Sequence, residues 1–246
     1  MSVFRLIYGR FMIDFSTLPL GSRLHSLLDG IRIDFAFQAI LNAATLEAAG
    51  YEALMRPEGM TPSVLIERCR EENSLHTLEL ATFFGATKAF LDKGLQGFVS
   101  INSLPSECFT PEESEIYFKC FPNLSERLYV EMLEYTDLRL DRWLMKKGQI
   151  RSPGMKVAID DYGSGNNFMP AVNLFGPDII KTDRKLTAGI HKDIPRQEHF
   201  VRLVERFHRR GSMVIAEGVE CREELDFLRT TKVDYLQGFY LGRPQI

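Results

Sequence analysis

Short apolar runs of β type alternate along this chain with longer stretches in which apolar residues recur every three or four positions. The runs fall at residues 35–40, 51–55, 97–102, 128–131, 156–160, 178–181, 213–217 and 235–239. Between them the spacing predicts helices, among others over residues 62–69, 75–91, 138–146, 197–209 and 222–229. In the fourth of these, Phe200, Leu203, Val204 and Phe207 make one apolar stripe. Thr61 followed by Pro62 suits the cap and first position of the first helix.

Eight strands alternating with helices predict an α/β fold, a TIM-type (β/α)8 barrel, with an open doubly wound sheet as the runner-up. The link between the first two runs, residues 41–50, is too short for a crossover helix. A hairpin is expected there, with the first strand antiparallel to its neighbour. Pro and Gly are scattered rather than gathered into a linker, and no repeat has a fixed period.

Composition fits one domain of this kind. The chain has 246 residues, 45% apolar and 26% charged, enough to bury a core without a metal or disulfide staple. A net charge of −3 argues against binding long nucleic acid, which needs a basic face. A small phosphate ligand stays open if a cation supplies the charge locally. The four cysteines (Cys69, Cys108, Cys120, Cys221) form no CxxC pair, so a reduced, cytoplasmic chain is expected. The first fifteen residues are apolar but carry Arg5, Arg10 and Asp14. No membrane span or cleaved leader is expected there, only a packed or partner-contacting appendage.

The candidate chemistry lies where the apolar runs end. Glu52, Asn102, Glu131, Asp160–Asp161, Lys181 with Asp183, Glu217 and Gln237 sit in or just after successive runs. Side chains alternate along a strand, so the terminal residue of each run can point into the barrel mouth, where TIM-type barrels keep their chemistry. A single such carboxylate more often faces solvent or caps a helix. Five crowded together would repel unless compensated, and a cation is the natural compensation. Oxygen donors without Cys or His suit Mg²⁺, Mn²⁺ or Ca²⁺ rather than zinc. Adjacent Asp160 and Asp161 suit a pair of ions, one carboxylate bridging while its neighbour serves the second. Cations beside Lys181 would pull its pKa down, letting it orient or deprotonate a water. An ion pair to Asp160 or Asp183 is its plainer role.

These motifs, taken in order, resemble the EAL domain, the bacterial phosphodiesterase that opens cyclic di-GMP. Glu52-Ala53-Leu54 is the signature tripeptide, in "YEALMRP". "FQAI" stands for the usual "QPI" and keeps Gln38. "SINS" supplies Asn102, and "EMLE" supplies Glu131 and Glu134. "DDYGSG" runs from Asp160, "KTD" from Lys181, "AEGVE" from Ala216, and Gln237-Gly238 closes the set. The resemblance covers residues 22–246 and leaves residues 1–21 as an N-terminal extension.

The resemblance implies a metal-dependent hydrolase yielding linear pGpG, with two Mg²⁺ or Mn²⁺ ions per site and Ca²⁺ as an inhibitory occupant. It implies Glu52, Asn102, Glu131 and Asp160 as ligands of one ion. Asp160, Asp161 and Glu217 would surround the other. Lys181 and Gln237 would hold the attacking water, with Glu52 and Glu217 also catalytic. Gln38, Arg56 and Asp183 would contact substrate, and Glu134 and Glu220 would anchor the mobile loop after Asp161. A homodimer is expected, and a regulatory protein partner is possible in this scheme.

The chain departs from the pattern in three places: Asn166–Asn167–Phe168 in the loop, "EMLE" without its usual threonine, and a short segment after Arg56. No sensory domain is recognisable in these residues, so regulation is expected from the extension, from dimerisation or from another chain. Two other readings stay open. One is a receptor that binds the same dinucleotide without hydrolysing it. The other is a Schiff-base aldolase with Lys181 as nucleophile, which would want a lightly charged pocket.

Overall fold

The computed structural model describes residues 4–7, 10–13, 32–132, 140–164 and 169–246. Near the N-terminus, β1 (Phe4–Ile7) and β2 (Arg10–Ile13) pair as a separate antiparallel ribbon. The remaining strands close into an eight-stranded barrel: β3 (Ile33–Asn42), β4 (Ala48–Pro57), β5 (Phe98–Ser103), β6 (Leu128–Met132), β7 (Lys156–Tyr162), β8 (Ile179–Thr182), β9 (Met213–Ala216) and β10 (Tyr235–Leu236). Strand β3 runs antiparallel to both β4 and β10, while every other neighbouring pair is parallel. The expected hairpin is therefore present, joined by a turn in which Asn42 Oδ1 accepts from the Ala44 and Thr45 amides at 2.9 and 3.1 Å.

Helices cover the barrel: α1 (Pro62–Glu71), α2 (Leu75–Asp92), α3 (Pro111–Cys120), α4 (Leu140–Arg151), α5 (Met169–Phe175), α6 (Arg184–Thr187), α7 (Ile194–His208) and α8 (Arg222–Leu228). Thr61 caps α1, its side chain accepting from the Val64 amide, with Pro62 following it. The Phe200, Leu203, Val204 and Phe207 stripe of α7 is buried against the sheet. Among the described residues no helix is long and apolar enough to cross a membrane.

Two cores result. The larger fills the space between sheet and helices, where Phe35, Phe84, Phe90, Phe175 and Phe207 have almost no exposure; each such ring is worth ~1.5–3 kcal/mol of burial. The smaller is the barrel's own floor: Ile40, Phe98, Tyr129, Ala158, Ile179 and Ile215, with Tyr235 packed against it. Gly50 makes room for it, because a Cβ there would stand 2.5 Å from the Phe98 ring.

Candidate active site

Two residues further along each strand, the inward face changes from apolar to polar. Phe98 is followed on its face by Ser100 and Asn102, Tyr129 by Glu131, Ala158 by Asp160, Ile179 by Lys181, Ile215 by Glu217 and Tyr235 by Gln237. On antiparallel β3 the order reverses, and Gln38 pairs with Glu52 of β4. The period of two thus converts eight strands into one polar ring standing on an apolar floor.

Lys181 is at the centre of that ring. Its Nζ lies 3.2 Å from Glu52 Oε2, 2.9 Å from Glu217 Oε1 and 3.2 Å from Asp160 Oδ1, and it donates to Glu131 Oε1. The ammonium and the Glu131 carboxylate are fully buried, while Asp160 and Glu217 are half-buried. Gln237 Nε2 donates to Glu52 Oε2 at 2.7 Å and to Gln38 Oε1 at 3.2 Å, and Gln38 Nε2 donates to the Gly242 carbonyl at 2.9 Å. Asn102 Nδ2 donates to Glu52 Oε1 at 3.3 Å. Ser100 was not among the sequence candidates, yet its hydroxyl donates to Glu131 Oε2 at 2.7 Å. Its position two residues before Asn102, on the same strand face, is the signal that finds it.

The adjacent aspartates reach the ring through a β-bulge. Ile159 pairs with Ile180 and Tyr162 with Thr182, so Asp160 and Asp161 together oppose the single residue Lys181. Two consecutive residues of a regular strand point to opposite faces, and the bulge removes that restriction. Asp161 takes a left-handed conformation, φ 53°, to complete it; Asp tolerates this region better than most residues. Asp160, Asp161 and Glu217 each bring an oxygen within 4.8 Å of the others.

Charge in the ring is unevenly held. Burial pushes the Glu131 carboxyl well above the usual range, against the pull of Lys181, and Glu52 and Asp160 add to the rise. Burial likewise raises Glu217, with Asp160 and Glu52 opposing its ionisation. Asp160 goes the other way: burial would raise it, but the Lys181 ammonium and a Glu131 hydrogen bond hold it below its ordinary value. Burial alone would lower Lys181, but Asp160, Glu131, Glu217 and Glu52 hold it well above the lysine range. One ammonium faces four carboxyl groups, so the ring accepts further positive charge. Gln237 Oε1 is also buried without a hydrogen bond, and the donors are all hard oxygens, a set that suits Mg²⁺ or Mn²⁺.

A cavity of about 380 Å³ opens on the ring, with Asp160, Asp161, Lys181, Glu217 and Gln237 in its wall. Gln38, Asp183 and Glu220 line it as well. Asp183 also caps α6, its carboxylate accepting from the Lys185 amide at 2.7 Å. Lys181 therefore pairs with Asp160 rather than with Asp183. Glu220 is held by Arg184 Nη2 at 2.6 Å, and Arg184 also donates to the Gly218 carbonyl. Arg56 stands outside the cavity lining and donates to the Met55 carbonyl at 2.9 Å. Glu134 and the Asn166–Phe168 departure lie outside the described residues.

The EAL domain family profile matches residues 22–244. This chain belongs to the EAL domain family. It is 26% identical over 221 residues to a probable cyclic di-GMP phosphodiesterase, PdeD, of Escherichia coli K12. That match covers 84% of this chain and 40% of the relative, so the chain spans well under half of that protein's length. Its fold superposes on a standalone EAL protein of Vibrio cholerae O395 in its c-di-GMP-bound form, with TM-score 0.77 and 28% identity over 87% of this chain and 92% of that one. Klebsiella pneumoniae BlrP1, solved as a manganese/cy-diGMP complex, matches with TM-score 0.68 and 27% identity over 87% of this EAL chain and 56% of that one.

Proposed function

We propose that this EAL domain hydrolyses one phosphodiester bond of cyclic di-GMP to give linear pGpG. The observation that carries this reading is the ring itself: four carboxyl groups and one buried lysine under a small-ligand cavity, with a bulge presenting two adjacent aspartates. Glu52, Asn102, Glu131 and Asp160 would hold one divalent ion, and Asp160, Asp161 and Glu217 a second. Bound there, Mg²⁺ or Mn²⁺ would supply electrostatic stabilisation of the charge that develops on the phosphate oxygens. Ca²⁺, larger and less demanding in geometry, is expected to occupy the site without supporting turnover.

The chain's own groups divide the remaining work. Gln237, fixed by Glu52 and Gln38, orients the attacking water with Lys181 Nζ. Four carboxylates keep that ammonium protonated; added positive charge in the ring lowers its pKa and lets it take the water's proton. Gln38 and Asp183 position the dinucleotide along the cavity. Arg56 reaches a phosphate oxygen after turning from the Met55 carbonyl. Glu220, held by Arg184, and Glu134 anchor the loop that follows Asp161. In-line attack of water at phosphorus then forms a P–O bond and breaks the bond to the 3′ oxygen. A regulatory partner would act through residues 1–21, and the active form is a homodimer.

A receptor that only binds the dinucleotide needs the cavity but not the lysine-centred ring, so hydrolysis is the reading the geometry favours. An aldolase reading requires a neutral lysine, and the carboxylates around Lys181 oppose that. Reaction in ¹⁸O-labelled water with Mn²⁺ tests the proposal. One ¹⁸O in the 5′-phosphate of pGpG is expected. Unchanged cyclic di-GMP that nonetheless binds, or product without label, would overturn it.

A further inference from the structure

The barrel carries a second cluster of metal-type donors, away from the carboxylate ring and chemically unlike it. His191, Cys221 and Glu224 each bring a ligand atom within 4.8 Å of the others. His191 stands on the 3₁₀ turn Ile190–Lys192, in the segment between α6 and α7. Cys221 and Glu224 stand at the start of α8, after β9.

Each donor is left with capacity for a ligand. His191 Nδ1 is buried with no hydrogen-bond partner. Cys221 occupies the position before the helix in an extended conformation and makes no capping hydrogen bond to the helix backbone; its thiol bonds the exposed Glu223 carboxylate instead, a partner that thiolate formation on metal binding would release. Glu224 is buried, and its two oxygens accept from the Gly189 amide at 2.7 Å and the Glu220 amide at 2.8 Å. The Cys221 amide bonds this carboxylate as well; a carboxylate has about four lone-pair sites, so one remains. Burial would raise this carboxyl, but those amides and Arg184, 3.8 Å away, hold it below the ordinary range. Arg184 is engaged chiefly by Glu220.

We propose that His191, Cys221 and Glu224 form a second cation site that takes one borderline divalent transition ion of the zinc class. Imidazole, thiolate and carboxylate are the donors such ions use, with water in the fourth position of a tetrahedron. Mg²⁺ has no use for the thiolate. The position gives the ion a structural role. Glu224 already bonds both the loop after α6 and the loop after β9, and β8 and β9 are the strands that carry Lys181 and lead to Glu217. Coordination would tie these two connections together more firmly than the carboxylate does alone.

Cobalt titration of the whole chain, with thiols reduced and bound metal first removed by chelator, tests this. With excess Mg²⁺ present to fill the carboxylate ring, Co²⁺ added to saturation is expected to give a thiolate-to-cobalt charge-transfer band with the visible bands of a tetrahedral ion, and Zn²⁺ should bleach both. Cys221→Ser should remove the charge-transfer band. His191→Ala, on a short turn where it threatens folding less, should weaken Zn²⁺ binding at least about tenfold, a loss seen even for second-sphere partners of metals. Glu217→Gln, which alters only the carboxylate ring, should leave the band unchanged. Absence of the band in the wild type would overturn the assignment. So would a band that survives Cys221→Ser, since Cys69, Cys108 or Cys120 would then be its source.

Discussion

Lys181 holds the ring together by facing Glu52, Glu131, Asp160 and Glu217 at once. Removing one partner of a buried ion pair leaves its counter-charge stranded, at about 3–5 kcal/mol. Lys181→Met strands four carboxyl groups and should lower stability on that scale, read by denaturant unfolding. The pH dependence follows from the raised Glu131 and Glu217. A carboxyl raised in the folded state contributes stability at low pH that is lost as pH rises through its folded value. Without the ammonium both rise further, so the deficit of Lys181→Met should be larger at about pH 8 than at about pH 5. If the deficit shrank with rising pH, the ring would not be held as described. Turnover should fall roughly 10²–10⁴-fold, the range for a lost proton-handling group. At this scale the sequence was most legible in Asn102, Glu131, Asp160, Lys181 and Glu217, because each ends an apolar run. Ser100 was hidden inside such a run, and Arg184 gave no sign because its partners Gly218 and Glu220 are distant in sequence.

Elements show where periodicity suffices and where it stops. All eight barrel strands fall on the apolar runs, and the short 41–50 link correctly forces an antiparallel start. The last run, expected to extend to 239, stops at Leu236. There the chain leaves the sheet to bond Val219, with Gln237 accepting from its amide and Tyr240 donating to its carbonyl. Helix α3 was not among the stretches brought out by apolar spacing, although Thr110, Pro111 and Glu113 form a complete capping box. The bulge at Asp160–Asp161 was beyond sequence reading, since bulges depend on the partner strand's register. The floor supplies a packing test. Gly50→Ala drives a methyl into the Phe98 ring, and overpacking of this kind costs ~1–3 kcal/mol. Thermal unfolding should show that loss, and Gly50→Ala with Phe98→Leu should recover part of it. Equal stability of Gly50→Ala and wild type would mean that the floor is not tightly packed there.

For the whole molecule, function is a matter of layering. The barrel stacks an apolar floor beneath a polar ring and opens a cavity above it, so that charge is concentrated at one end of an otherwise ordinary core. A net charge of −3 spread over 246 residues gives no hint of this concentration; the fold creates it by bringing residues from 38 to 237 within hydrogen-bonding reach. The most direct test is incubation of the purified chain with cyclic di-GMP and Mn²⁺ or Mg²⁺, with products separated by chromatography. Conversion to pGpG by the wild type, abolished by chelator and by Glu52→Gln, is the predicted result. Binding without conversion, or conversion that Glu52→Gln leaves unchanged, would contradict the account.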